Sequence, residues 1–421
     1  MGNIIRDTAA RLRGPLKSLA LKCFGDNRAV IDALKRVDSG LRKKAATSEM
    51  RPVTKAEDMG VNVVGYLTGE FGLGEAARAD IRCLESEGIP YAPINYEVAH
   101  HSNRDTTVKG LTDKNPYRVN LVHMNMDIVM DLVRERGPAF FEGKYNIAFW
   151  VWEFPSFPER FLECFGVFDE IWTPSNFSQN AISQVSGVPV VRMPHAIDID
   201  PKVGPDRERF GFGKDEFVFL IMFDFYSSYL RKNPVAAVRA FKAAFGDDTR
   251  ARLVIKHINS GKHKGDLADF NRELAGMNVQ IIDRHLRMDE IYSLMASSDC
   301  YVSLHRSEGF GLTIAEAMAL GKPVIATDYS GNTDFMDVTN SFPVRFEITE
   351  MQKDFPPYEK GVTWAEPDVA HAAELMRLVF EDKVLRGRIA EKAARDMDRY
   401  YTASAVGRLF RARIENISRF V

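Results

Sequence analysis

The sequence predicts an α/β protein made of two open parallel-sheet domains facing each other across a cleft. The expectation comes first from the length of 421 residues, too long for one ordinary core and suited to two domains. It also comes from an alternation of short apolar, β-branched runs with helical stretches, as a parallel sheet flanked by helices requires. Finally, a polar stretch punctuated by Pro and Gly over 198–214 interrupts this alternation, which then begins again.

Residues 1–57 read as a basic helical leader, because the first fifty residues hold eleven Lys or Arg against five Asp or Glu. Leu12, Leu16, Leu19 and Cys23 recur at helical spacing with Arg11, Arg13, Lys17 and Lys22 among them, the pattern of an interfacial helix. Two readings stay open: a solvated helix lying on the protein body, or peripheral contact with the inner face of a membrane. The first domain is expected over 58–205. Its first strand is the run Val61 to Leu67, followed by a turn containing Gly69, Gly72 and Gly74 and a helix from Glu75 that ends by Gly88 and Pro90. Further strands are expected at 119–123, 146–152, 170–173 and 189–193. The second domain, over 206–395, has expected strands at 217–222, 252–257, 279–282, 300–304 and 323–327, with helices at 234–245 and 314–320. Facing units of this kind bind ligands at the carboxyl ends of their strands, so the chemistry is expected in the cleft.

Composition narrows the function. Fifty-six basic residues against fifty-eight acidic ones give a net charge of -2, with no global attraction to nucleic acid. Four well-separated cysteines, Cys23, Cys83, Cys164 and Cys300, read as reduced thiols and not as metal ligands or disulfides. No apolar run reaches about eighteen residues and the amino terminus lacks the zones of a secretory signal, so a cytoplasmic protein is expected.

The chemical signal is concentrated in Ser307-Glu308-Gly309-Phe310-Gly311-Leu312-Thr313-Ile314-Ala315-Glu316, between an expected strand and an expected helix. Gly309 and Gly311 permit tight turns and expose backbone N–H groups, and the following helix points its positive end at the turn, a cradle for a diphosphate. Two carboxylates separated by seven residues can hold hydroxyls at both ends of an extended ligand, and a sugar nucleotide has that shape.

This Glu, seven residues, Glu element with its internal Gly-Phe-Gly resembles the signature of glycosyltransferase family 4. The resemblance implies the GT-B fold, two Rossmann-like domains across a cleft, with residues 396–421 containing a last helix that crosses back to the first domain. It implies a nucleotide-sugar donor with a GDP, UDP or ADP leaving group and no required cofactor. In its terms Glu308 contacts the transferred sugar, Gly309, Phe310, Gly311 and Leu312 form the donor loop, Thr313 lies by the diphosphate and Glu316 binds the ribose. Lys232, in Tyr229-Leu230-Arg231-Lys232-Asn233-Pro234, matches the lysine that neutralises the diphosphate. The arginine usually found several residues earlier is replaced by Ser227 and Ser228, leaving Arg231 as its substitute and Lys256 as a further phosphate contact.

In the first domain, His123 ends the expected strand 119–123 where similar proteins carry an active-site histidine, with a backbone-satisfied core histidine as the ordinary alternative. His195 is read as a hinge contact. Gly72, Gly74 and Arg78 are candidates near the diphosphate and acceptor, and Trp152 and Glu153 are candidates for an acceptor pocket. No Asp-x-Asp pair lies beside these elements, so no metal is expected. The reading is a retaining transfer of a hexosyl unit, mannosyl among the options, to a saccharide or lipid-linked saccharide in polysaccharide, lipopolysaccharide or glycolipid assembly. Alternatives are a sugar phosphorylase or disaccharide synthase on the same fold, a non-catalytic sugar-nucleotide-binding subunit, and a nicotinamide oxidoreductase. The last rests on Gly72-Leu73-Gly74-Glu75-Ala76-Ala77, which fits a dinucleotide loop with Glu97 as its ribose acid.

Overall fold

The computed structural model describes residues 59–97, 102–355 and 358–419. The leader expected over 1–57 lies outside the described residues. The first sheet contains β1 (Val61–Gly65), β2 (Tyr91–Asn95), β3 (Val119–His123), β4 (Tyr145–Phe149), β5 (Glu170–Thr173) and β6 (Val190–Arg192), all parallel in the order β2-β1-β3-β4-β5-β6. β1 and β3 are buried along their whole length because helices cover both faces, which is why they read as continuous apolar runs. The helices are α1 (Gly72–Ser86), α2 (Met126–Arg136) and α3 (Asn176–Ser183). Strand order reverses between β1 and β3, where Gly65 pairs with His123.

The second sheet contains β7 (Phe217–Asp224), β8 (Ala251–Ile258), β9 (Val279–Asp283), β10 (Cys300–Ser303), β11 (Val324–Thr327) and β12 (Phe342–Val344), in the order β12-β11-β10-β7-β8-β9. Its helices are α4 (Tyr229–Lys232), α5 (Pro234–Phe245), α6 (Lys264–Glu273), α7 (Met288–Ser297) and α8 (Leu312–Ala319). The order reverses between β7 and β10, so their carboxyl ends diverge and open a crevice. Asn233 adopts a left-handed conformation with φ 48° and ends α4, and Pro234 starts α5 at once, as a proline fits the first helical position.

The sequence patterns did not anticipate a hairpin arm after β12, formed by the antiparallel strands β13 (Phe346–Glu350) and β14 (Thr363–Pro367). The chain continues through α9 (Val369–Glu381), α10 (Lys383–Tyr400) and α11 (Ala403–Ser418). α11 lies on the first domain: the Ser86 hydroxyl donates to Ala403 O at 3.1 Å, Arg411 pairs with Glu87 and Arg413 with Glu170. A Cβ on Gly407 would stand 2.7 Å from Cys83 O, so glycine is what lets α11 approach α1 this closely. Cys83, Cys164 and Cys300 are buried free thiols. Among the described residues no helix is long and apolar enough to cross a membrane.

Candidate active site

Glu308 stands in the loop from β10 to α8, beside the crevice where the order of the second sheet reverses. Lys232 Nζ donates to its Oε1 at 2.5 Å and Arg231 Nη1 to its Oε2 at 3.0 Å, while the Glu308 backbone N–H donates to Ser330 Oγ at 2.7 Å. Burial raises the carboxyl pKa, but Lys232, Arg231 and His305 outweigh it and hold Glu308 at about 2. Two non-glycine residues brace the site from strained backbone. Ser330 has φ 78°, and Ser228 has φ 65° with its hydroxyl accepting from Arg231 N. A small cavity opens here, lined by Met222, Phe223, Lys232, Asn233, Glu308 and Thr313 among others.

α8 begins at the mouth of this cavity. Gly311 has φ 95°, a left-handed geometry that glycine adopts freely, and no side chain caps the helix, so the Leu312 and Thr313 N–H groups, which precede the Ile314 N–H that donates to Gly311 O at 3.0 Å, are left at its open end. Tyr301 OH donates to Thr313 Oγ1 at 2.8 Å, leaving the threonine proton free to donate elsewhere. Glu316 lies further along α8, buried, accepting from Tyr292 OH at 3.3 Å. Burial first, and Glu75 across the cleft second, push its carboxyl up to about 8. Glu75, on α1, is paired with Arg78 at 3.0 Å and Arg82 at 2.7 Å.

The first domain grips the loop over 307–311 directly. Ser175 Oγ donates to Gly309 O at 2.6 Å, Ser178 Oγ lies 3.3 Å from the same carbonyl, and Ser307 Oγ donates to Glu153 O. A Cβ on Gly309 would sit 2.3 Å from Val151 Cγ1, and one on Gly331 would sit 2.2 Å from Gly309 O. Phe310 meets His195 edge-on at 5.2 Å, and His195 stacks on Phe149 at 5.1 Å, so the linker histidine lies in a column of rings joining the two domains.

Several other sequence-derived candidates already have partners within the protein. Arg231 does not stand free for a phosphate. It is buried, and it donates to Ser307 O at 2.8 Å, to Ser227 O at 3.0 Å and to Glu308, so its fork orients that carboxylate. Lys256 is buried, donates to His257 O at 3.1 Å, and has its pKa pulled by burial to about 8. Arg78 is buried with its guanidinium on Gly69 O at 2.8 Å and Leu67 O at 3.2 Å, fixing the glycine-rich loop. Trp152 belongs to a buried aromatic cluster and donates its indole N–H to Ser156 O at 2.7 Å.

His123 is fully buried, its Nδ1 2.6 Å from Asp80 and its ring stacked on Phe149 at 4.3 Å; its Nε2 finds no hydrogen-bond partner among the described residues. Glu153, by contrast, joins the Glu308 group, 3.6 Å from Arg231. Glu97 is exposed beyond β2. Gly72 faces Leu312, whose Cδ1 would lie 3.9 Å from an added Cβ, so α1 and α8 present their amino ends to each other across the cleft. Gly74 has no such room, since a Cβ there would stand 2.3 Å from Gly69 O. Gly74→Ala is therefore expected to destabilise by about 1–3 kcal/mol, with a lowered melting temperature, whereas Gly72→Ala should melt near wild type.

Sequence reasoning missed Tyr292, Ser175 and Tyr358, whose partners lie on other elements, and Glu75, which acts on Glu316 across the cleft. Among the described residues no cluster of three or more His, Cys, Asp or Glu could hold a metal ion.

Residues 206–396 match the family model described as Glycosyl transferases group 1. A stretch of 105 residues is 30% identical to the O-antigen biosynthesis glycosyltransferase WclY of Escherichia coli, covering 25% of this chain and 28% of that relative. Among solved structures, HepE of Anabaena in complex with UDP and glucose superposes with a TM-score of 0.61 at 14% identity, over 85% of this chain and 100% of that one. Sucrose-phosphate synthase of Thermosynechococcus elongatus superposes at 0.60 with 12% identity, over 85% of this chain and 99% of that one. At such identities the likeness speaks for the fold, which is GT-B, and together with the family match over the second domain it supports a glycosyltransferase.

Proposed function

We propose that the protein is a retaining glycosyltransferase that moves a hexosyl unit from a nucleotide diphosphate sugar to a hydroxyl of a saccharide or lipid-linked saccharide. The observation that carries this reading is the ionised Glu308, held by Lys232 at the sheet crevice, with the uncapped start of α8 opening into the same space. In this reading the donor diphosphate lies at the α8 amino end, where backbone N–H groups and the Thr313 hydroxyl donate to it. Lys232 turns from Glu308 to the departing diphosphate, and the freed Glu308 oxygens accept hydrogen bonds from the sugar. The bond from the anomeric carbon to the diphosphate breaks, the acceptor oxygen bonds to that carbon, and the acceptor proton passes to the diphosphate on the same face, so configuration is retained. Leaving-group stabilisation supplies the catalysis, and no separate strong base is needed. Glu316 takes the ribose hydroxyls. The O-antigen relative favours an acceptor in lipopolysaccharide assembly, and neighbours solved with UDP favour a uridine donor.

A thermal-shift screen against UDP, GDP, ADP, dTDP, NAD and NADP, repeated on Glu316→Ala, tests the site. The expected result is selective stabilisation by one nucleoside diphosphate, lost in the variant. Stabilisation by NAD or NADP alone would overturn the reading in favour of the Gly72–Ala77 dinucleotide loop.

A further inference from the structure

We propose that Tyr358 and Glu153 are positioning residues for Glu308, and that the hairpin arm of the second domain brings Tyr358 across the cleft for this purpose. The proposal rests on the reading of Glu308 as the residue that contacts the donor sugar.

The arm docks on the first domain through its rings. Tyr358 and Trp364 are buried in one cluster with Trp152 and Phe154, and the Tyr358 ring lies 4.5 Å from that of Phe154 and 5.8 Å from that of Trp152. Packing alone would be served by phenylalanine. The hydroxyl instead donates to Glu153 Oε2 at 3.2 Å, and Glu153 Oε1 lies 3.6 Å from Arg231 Nη2. Arg231 Nη1 in turn holds Ser307 O at 2.8 Å and Glu308 Oε2 at 3.0 Å. The polar chain thus runs from the arm to the first domain and back to the donor loop, and it is complete only while the two domains meet. Glu153 and Glu308 balance Arg231 and Lys232 in charge. Once Lys232 turns to a diphosphate, Arg231 is the cation left on Glu308, and the orientation of its fork depends on Glu153 and, through it, on Tyr358. Burial raises the Glu153 carboxyl pKa and Arg231 lowers it, so this carboxylate depends on its partners to stay charged.

Misplacement of Glu308 costs turnover more than donor binding, since Lys232, the helix end and Glu316 remain. With UDP-glucose and GDP-mannose as probes, read by release of UDP or GDP, Tyr358→Phe should lower kcat roughly tenfold, with the donor KM within about twofold. Glu153→Gln should lower kcat roughly 100-fold, and the double variant should be no worse than Glu153→Gln, because Tyr358 acts through Glu153. Amide hydrogen exchange supplies a readout independent of turnover: in both single variants exchange should rise at 307–309 and stay unchanged across the arm strands 346–350 and 363–367. Wild-type kcat and exchange in Tyr358→Phe would overturn the proposal, as would multiplicative losses in the double variant. Raised exchange across the arm itself would reduce Tyr358 to a packing role and equally overturn it. If the wild-type protein turns over neither probe, the transfer reading is what has failed for these donors, and exchange at 307–309 still decides the positioning.

Discussion

Lys232→Ala is expected to lower kcat for glycosyl transfer by roughly 100- to 1,000-fold with the fold intact, the loss typical of removing one preorganised charge-stabilising group from a transition state. Its ammonium is the cation of this group with room to move: its side chain is 21% exposed, against 5% for Arg231. Its removal leaves Arg231 on Glu308, so that carboxylate keeps a cationic partner. Glu308 requires a different substitution. Glu308→Ala would leave Arg231 buried beside a lost partner, at about 3–5 kcal/mol of destabilisation, and lost activity would then be ambiguous. Glu308→Gln keeps the shape and one acceptor oxygen while removing the charge that Lys232 and Arg231 hold. A comparable fall in kcat is expected, with a melting temperature closer to wild type than that of Glu308→Ala. Transfer rates and melting curves for Lys232→Ala and Glu308→Gln check this together. Unchanged turnover in both would sink the assignment of the site.

What was legible in the sequence was local. The strands over 119–123 and 170–173 and the helix over 234–245 were readable because burial on both faces, or a Pro start and a Gly stop, leave their mark within a few residues. The α8 turn was readable for the same reason: Gly311 at φ 95° followed by Leu312–Ala319 is a chain-local geometry, and the two glutamates come with it. Pairings over long separations were not readable. Arg231 is next to Lys232 in sequence and equally basic, yet one is sealed against Ser307 O and the other faces the cavity, a difference set by a loop 76 residues away. The bond between Tyr358 and Glu153 spans 205 residues and two domains. The arm had a faint signal in the alternating Phe346-Glu347-Ile348-Thr349-Glu350 and Thr363-Trp364-Ala365-Glu366-Pro367 runs, but alternation says nothing about which surface such a hairpin meets. Trp152 lies in a buried aromatic cluster, and an aromatic run in a sequence is equally compatible with a core and with a pocket.

The melting temperature of Glu316→Gln is expected to overtake that of the wild-type protein as pH rises from 5 to 9. Glu316 is buried between Tyr292, which donates to it, and the cleft, from which Glu75 on α1 faces it with Arg82 and Asp198 beyond. Burial and the Glu75 charge favour its protonated form, raising its pKa from the ordinary 4.5 to about 8. A group whose folded pKa is raised contributes stability that is fully present below its unfolded pKa and is lost as pH rises through the folded one. The window is therefore about 4.5 to 8, and a shift of this size corresponds to a loss of about 5 kcal/mol across it. Glutamine supplies a neutral acceptor for Tyr292 at every pH and does not suffer the loss. Two melting curves running parallel from pH 5 to 9 would refute the buried, Glu75-facing placement of Glu316. The same proton bears on function. Ribose hydroxyls donate, so binding them is best served by the ionised carboxylate, and nucleoside diphosphate binding near pH 7 should release a proton. Titration calorimetry in two buffers of different ionisation heat reads that release, and in Glu316→Gln it should vanish even where weak binding persists. Release of the same size in the variant would place the proton on another group and remove Glu316 from the ribose site.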